Sequence, residues 1–225
     1  MGAIKRFYKR SKPLRKRIKR SLGLGKRYQE KRVAGTAARW EMIQRELDAC
    51  DRSLLDLGSN IGAMTELAAS EGRFALGLEP EPTLFGKALK RARGQESLAF
   101  MRYGINPESV LALPAFDVVL CLSVHHHWVR SFGESAAWQI VGELLRRSRN
   151  KFFFEPASVK WKCGAQDLDF EDLDTESIVE YNVKHLEAVS EADQSIRLLG
   201  ETACLGTEPF RLLFLIERID TKRGQ

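Results

Sequence analysis

The strongest constraint on this chain is its rhythm. Between residues 53 and 155, short apolar runs of strand length alternate with segments of helical periodicity. Ser53–Leu57, Phe74–Glu79, Leu98–Tyr103, Phe116–Val124 and Lys151–Glu155 read as strands, with helices at Ala63–Ser70, Thr83–Arg93 and Ala136–Arg147 between them. Strands joined through helices run parallel, because a crossover returns the chain to the same end of the sheet. Phe116–Val124 is nearly continuous in apolar residues, as a strand covered on both faces must be. The C-terminal part breaks the rhythm: Ser195–Glu201 and Phe210–Glu217 flank a short Gly-containing segment and predict an antiparallel hairpin. The expected fold is α/β: a doubly wound, mostly parallel seven-stranded sheet closed by that hairpin.

The chain has 225 residues, 44% of them hydrophobic and 29% charged, enough for one sizeable core. No apolar run approaches the roughly 18 residues that a membrane span needs. Cys50, Cys121, Cys163 and Cys204 match neither metal-ligand nor disulfide-framework spacing, so they read as reduced and the chain as cytoplasmic. Charge is segregated. Residues 1–33 hold 14 Lys and Arg against the single acid Glu30, a net +13, whereas the remainder holds 22 basic and 29 acidic residues, a net −7. Gly23 and Gly25 read as a hinge and Ala34–Leu47 as an amphipathic helix entering the core, so residues 1–33 form a basic arm and 34–225 a catalytic domain.

Leu54-Leu55-Asp56-Leu57-Gly58-Ser59-Asn60-Ile61-Gly62 runs from a strand through a glycine-bearing turn into a helix. Gly58 suits the tight turn and the close approach of a ligand, and Gly62 lets the helix pack closely. The next strand ends in Glu79, 21 residues beyond Gly58. A carboxylate there can accept both ribose hydroxyls of an adenosine-containing cofactor. Asn60 replaces the middle glycine of a dinucleotide turn, and Asp56 offers charge to an ammonium group while repelling pyrophosphate. The run resembles the first motif of class I methyltransferases. That resemblance implies S-adenosylmethionine as cofactor, held by Asp56, Gly58, Ser59, Asn60 and Gly62, with Glu79 on the ribose and Asn106 near the adenine.

Catalytic groups in open parallel sheets gather at the carboxyl ends of the strands, which puts Ser123–Trp128 beside the reacting centre and Ser123 near the methyl donor. His126 or His127 is the candidate general base, or else packs against cofactor and loop without titrating. Consecutive side chains of an extended segment diverge, so the triple His predicts no metal site. Acceptor contacts are expected from loops Trp128–Ser135 and Pro156–Thr175, through Trp128, Arg130, the strand-terminal Glu155, Lys160 and Trp161.

The segments LSVHHHW, FFFEPASVKW and RLLGETACLGTEPFRLLFLIE resemble the methyltransferase domain of O-antigen chain-terminating enzymes over about residues 50 to 218. RNA methylphosphate-capping enzymes are similar over VVLCLS, the strand-terminal Glu-Pro and the hairpin. Both resemblances imply transfer of a methyl group to an oxygen at the end of an anionic polymer: a glycan end, at a sugar hydroxyl or terminal phosphate, or RNA; a non-catalytic cofactor-binding module is the other alternative. Within the arm, Ile4, Phe7, Leu14, Ile18 and Leu22 recur at helical spacing among the cations, with Pro13 dividing them. That pattern suits an interfacial helix on an anionic membrane, with the domain peripheral on the inner face; the same cations attract nucleic acid, and a solvated tail is the third reading.

Overall fold

The computed structural model describes residues 36–156, 175–202 and 211–219. Helix α1 (36–46) leads into β1 (Ser53–Leu57), α2 (Ala63–Ser70), β2 (Phe74–Leu78), α3 (Pro82–Arg91) and β3 (Leu98–Met101). A 3₁₀ turn (Ser109–Ala112) precedes β4 (Phe116–Leu122), α4 (His125–Phe132), α5 (Glu134–Arg147), β5 (Ser148–Glu155), α6 (Thr175–Val189), β6 (Gln194–Thr202) and β7 (Arg211–Arg218). The seven strands lie in the order β3-β2-β1-β4-β5-β7-β6. The first five are parallel, and β7 pairs antiparallel with both β5 and β6.

Strand alternation divides the core into two layers. Leu55, Val119, Phe152, Phe154 and Phe214 face α5 and α6, whose Trp138, Ile140, Val141, Leu144, Ile178 and Leu186 cover them. Leu54, Val118, Leu120, Phe153 and Leu215 face α1 and α2 through Trp40, Ile43, Met64 and Ala68. Covering both faces is why the central strands are apolar at most positions. The two start points are tied by Asp117, whose Oδ2 accepts from the backbone N–H groups of Arg52 and Ser53 at 3.0 and 2.9 Å. Beneath the sheet, Lys151 Nζ donates to Asp48 at 2.8 Å and to the buried Asp51 at 2.6 Å.

The stretch beginning at Trp128, expected as a loop, lies within α4, and α6, over which the sequence carried no assignment, buries Ile178, Asn182 and Leu186 along one four-residue row. β4 ends at Leu122 rather than Val124 because Ser123 adopts φ 57° and turns the chain. Among the described residues no helix is long and apolar enough to cross a membrane.

Candidate active site

β1 and β4 are neighbours, and the chain leaves them toward opposite edges of the sheet, so the crevice outside their carboxyl ends is the topological switch point at which open α/β sheets bind ligands. The turn after β1 is built for close approach. Gly58, Asn60 and Gly62 take φ of 64, 56 and 80°, in the left-handed region. A Cβ on Gly58 would stand 2.8 Å from Val124 Cγ2, and one on Gly62 2.4 Å from Phe100 Cζ, so neighbouring side chains already fill the space that a Cβ would need. Asn60 supports its own conformation by accepting the Ile61 N–H on Oδ1 at 3.0 Å.

Two acids flank this turn. Glu79, just past β2 and 5% exposed, accepts the Asn60 N–H on Oε2 and the Glu81 N–H on Oε1, each at 2.8 Å. Its carboxylate is therefore fixed in orientation while each oxygen retains acceptor capacity. Asp56, 4% exposed, accepts from Thr65 Oγ1 at 2.7 Å. Burial pushes its carboxyl up to about 6, against the Thr65 hydrogen bond and the charge of Arg39. Ser59 Oγ is buried without a hydrogen-bond partner among the described residues. A glycine cradle, an oriented carboxylate and an orphan hydroxyl fit the adenosine and amino acid parts of S-adenosylmethionine.

The neighbouring carboxyl ends of β4 and β5 form a polar hub. Glu155 is fully buried, accepting from Arg39 Nη1 at 3.0 Å and Arg211 Nη1 at 3.1 Å and from Ser123 Oγ. The Ser123 N–H donates to the Glu155 carbonyl at 2.8 Å. Glu155, expected to contact the acceptor, here joins Arg39, Arg211 and Ser123. The three histidines lie in the first turn of α4, not on an extended segment, and their environments differ. His125 packs on Trp138 and Phe154, with ring centroids 4.3 and 5.7 Å away, and burial pulls its pKa down to about 3. The rings of His126 and His127 lie 4.0 Å apart, tilted by 38°. Burial, then the charges of His127, Arg130 and Arg211, lower His126 to about 4. Burial and Arg130 lower His127, opposed by Glu79. Both imidazoles are neutral at pH 7, in a field shared by Glu79, Arg130 and Arg211.

The remaining expected residues have the following surroundings. Asn106 caps the 3₁₀ turn, its Oδ1 accepting from the N–H groups of Glu108 at 2.9 Å and Ser109 at 2.7 Å. Trp128 is 4% exposed and belongs to the core. Arg130 is exposed on α4. Lys160 and Trp161 lie outside the described residues, as do Cys163, Cys204 and the arm. Among the described residues, the cluster with metal-ligand proximity is Asp48, Cys50 and Asp51, which contains no histidine and already holds the Lys151 ammonium. Sequence reasoning missed Arg39, Thr65 and Arg211. Thr65 sits one turn past Gly62, where a hydroxyl facing Asp56 was legible, whereas Arg39 and Arg211 reach Glu155 from 116 and 56 positions away with no local signal.

Known structures share this fold. The chain superposes on the bifunctional kinase-methyltransferase WbdD with a TM-score of 0.62 at 22% identity, covering 80% of this chain and 39% of that one. The fold is that of the class I methyltransferases. The magnesium protoporphyrin IX methyltransferase ChlM from Synechocystis PCC 6803, solved with bound S-adenosylhomocysteine, gives a TM-score of 0.60 at 16% identity over 87% of both chains. The methyltransferase domain of bacterial CtHen1 gives 0.55 at 12% identity, covering 80% of this chain and 97% of that one. The chain spans about two fifths of the length of the WbdD chains that it matches. No family model and no curated protein sequence matches it.

Proposed function

We propose that this protein is an S-adenosylmethionine-dependent O-methyltransferase acting on the end of a glycan, at a sugar hydroxyl or a terminal phosphate, with residues 1–33 holding it to an anionic membrane surface. The observation that carries the cofactor reading is Glu79: a buried carboxylate fixed by two backbone N–H groups beside a left-handed glycine turn at the switch point. When bound, the cofactor supplies an activated methyl group on a sulfonium.

In this reading Glu79 accepts the ribose hydroxyls, Asp56 faces the ammonium group, Ser59 gains a partner for its buried hydroxyl, and Asn106 lies beside the adenine. Ser123 closes the end of the site toward the acceptor. Arg130 and Arg211, whose fields depress His126, meet the charge of an anionic acceptor. His126 or His127, neutral at pH 7, receives the proton of a hydroxyl acceptor; a phosphate acceptor is already anionic and needs no base. Methyl transfer otherwise asks for in-line approach and exclusion of water, which the buried hub around Glu155 favours.

The test is calorimetric titration with S-adenosylhomocysteine. Micromolar binding by the wild type, lost in Glu79→Ala, supports the reading and directs an acceptor screen to lipid-linked glycans first. A folded wild type that binds nothing removes it. RNA is the competing acceptor, because the arm's +13 suits phosphodiesters equally. Vesicle binding through Ile4, Phe7 and Ile18 survives added salt, whereas RNA affinity falls steeply with it.

A further inference from the structure

The attachment point of residues 1–35 fixes which side of the molecule they serve. Arg39, in the first described turn of α1, donates to Glu155, the last residue of β5, at 3.0 Å. Past the other end of α1, Asp48 and Asp51 hold Lys151 near the start of β5. α1 therefore runs from the carboxyl edge of the sheet, where the parallel strands end, to its amino edge. The preceding segment, with a net +13, joins the domain at the edge that carries the crevice.

The same edge exposes cations beside apolar side chains on either flank of the crevice. Met101 ends β3 at 49% exposure, and the exposed Arg102 follows it. α4 lies between the end of β4 and the start of α5, which itself returns to the amino edge at Ser148, so α4 stays over the carboxyl edge. It exposes Arg130 and Phe132, the latter at 43%. The acids nearest the crevice, Asp56, Glu79 and Glu155, are buried, and the exposed Glu81 caps α3 by accepting the Leu84 N–H at 2.7 Å. An apolar side chain next to an arginine suits the headgroup boundary of an anionic bilayer, where the one enters the acyl region and the other meets lipid phosphate. We infer that the carboxyl edge is the membrane-facing side: Arg102 and Arg130 add to the arm's charge, Met101 and Phe132 insert, and the crevice opens onto the bilayer. A lipid-linked acceptor is then reached at the surface itself. The inference rests on the reading of residues 1–33 as a membrane-binding arm.

The probes are phosphatidylcholine vesicles with and without phosphatidylglycerol, added to the full chain. In a background of Cys50→Ser, Cys163→Ser and Cys204→Ser, with Cys121 fully buried, a polarity-sensitive fluorophore is attached at Ser131→Cys on α4 or at Ser70→Cys, where α2 ends at the amino edge. Anionic vesicles shift the emission at position 131 to the blue and leave position 70 unchanged. Phe132→Ser weakens vesicle binding about threefold or more, through loss of a partly inserted ring. Phe74→Ser, which removes a ring 46% exposed at the amino edge, leaves vesicle affinity as it was. Vesicle binding without a shift at position 131, or with equal shifts at both positions, overturns the inference while leaving the arm's membrane role standing. A shift at position 131 produced by single-stranded RNA in place of vesicles overturns it in favour of nucleic acid. No vesicle binding by the folded chain overturns both.

Discussion

Asp56 is the group whose ionisation most directly links stability to ligand binding. Its carboxyl is held at about 6 in the folded chain, against an ordinary value of 3.8. Below pH 3.8 it is protonated folded and unfolded alike, and its contribution to stability is fully present. As pH rises toward 6 the unfolded chain releases the proton while the folded chain keeps it, so stability falls by about 1.4 kcal/mol per pH unit. Above pH 6 the loss levels off near about 3 kcal/mol. Asp56→Asn keeps an acceptor for Thr65 Oγ1 without the buried charge. Urea unfolding from pH 3.5 to 8 should show the variant gaining on the wild type between pH 4 and 6, with a constant margin above. A margin that does not change across that range would refute the burial argument. A ligand ammonium beside Asp56 favours its anion, so S-adenosylhomocysteine binding should release a proton near pH 6 and weaken as pH drops further.

Gly62→Ala should destabilise the fold by about 2 to 4 kcal/mol, combining a left-handed φ of 80° with a Cβ 2.4 Å from Phe100 Cζ; a loss below about 0.5 kcal/mol in urea would show that the ring yields freely. Lys151→Ala should cost about 3 to 5 kcal/mol, because it strands Asp51, 1% exposed, without its ammonium; chemical denaturation giving under about 1 kcal/mol would mean that water rescues the carboxylate. In an NMR titration His126 should change protonation near pH 4, and a midpoint at its ordinary 6.5 would contradict the burial and cationic field around it.

The parallel part of the sheet was legible because burial on both faces makes most residues of its central strands apolar, and the closing hairpin because its composition departs from that pattern. The turn at Gly58, Asn60 and Gly62 was legible for a different reason: a backbone that needs positive φ restricts which residues can stand there. α6 could also have been read, since Ile178, Asn182 and Leu186 recur every four residues, but the polar Asn182 interrupts the apolar row. Asn182 is tolerated because its Nδ2 donates to the Ile178 carbonyl at 2.8 Å within the helix. The histidine run misled because its extended reading depended on where β4 stops, and that was settled by the left-handed Ser123.

By itself the sequence determined the alternation of strands and helices, the parallel direction of the first five strands, the glycine-bearing turn after β1 and the acids Asp56 and Glu79 beside it, since all of these follow from local periodicity and short-range backbone demands. Tertiary structure decided what Glu155 does. Its carboxylate gathers Arg39 from the first described helix, Ser123 from the end of β4 and Arg211 from β7, at separations of 116, 32 and 56 residues. No local pattern encodes such a meeting, because a charge can be buried wherever the assembled fold brings its partners, and only the completed sheet with α1 laid across it does so.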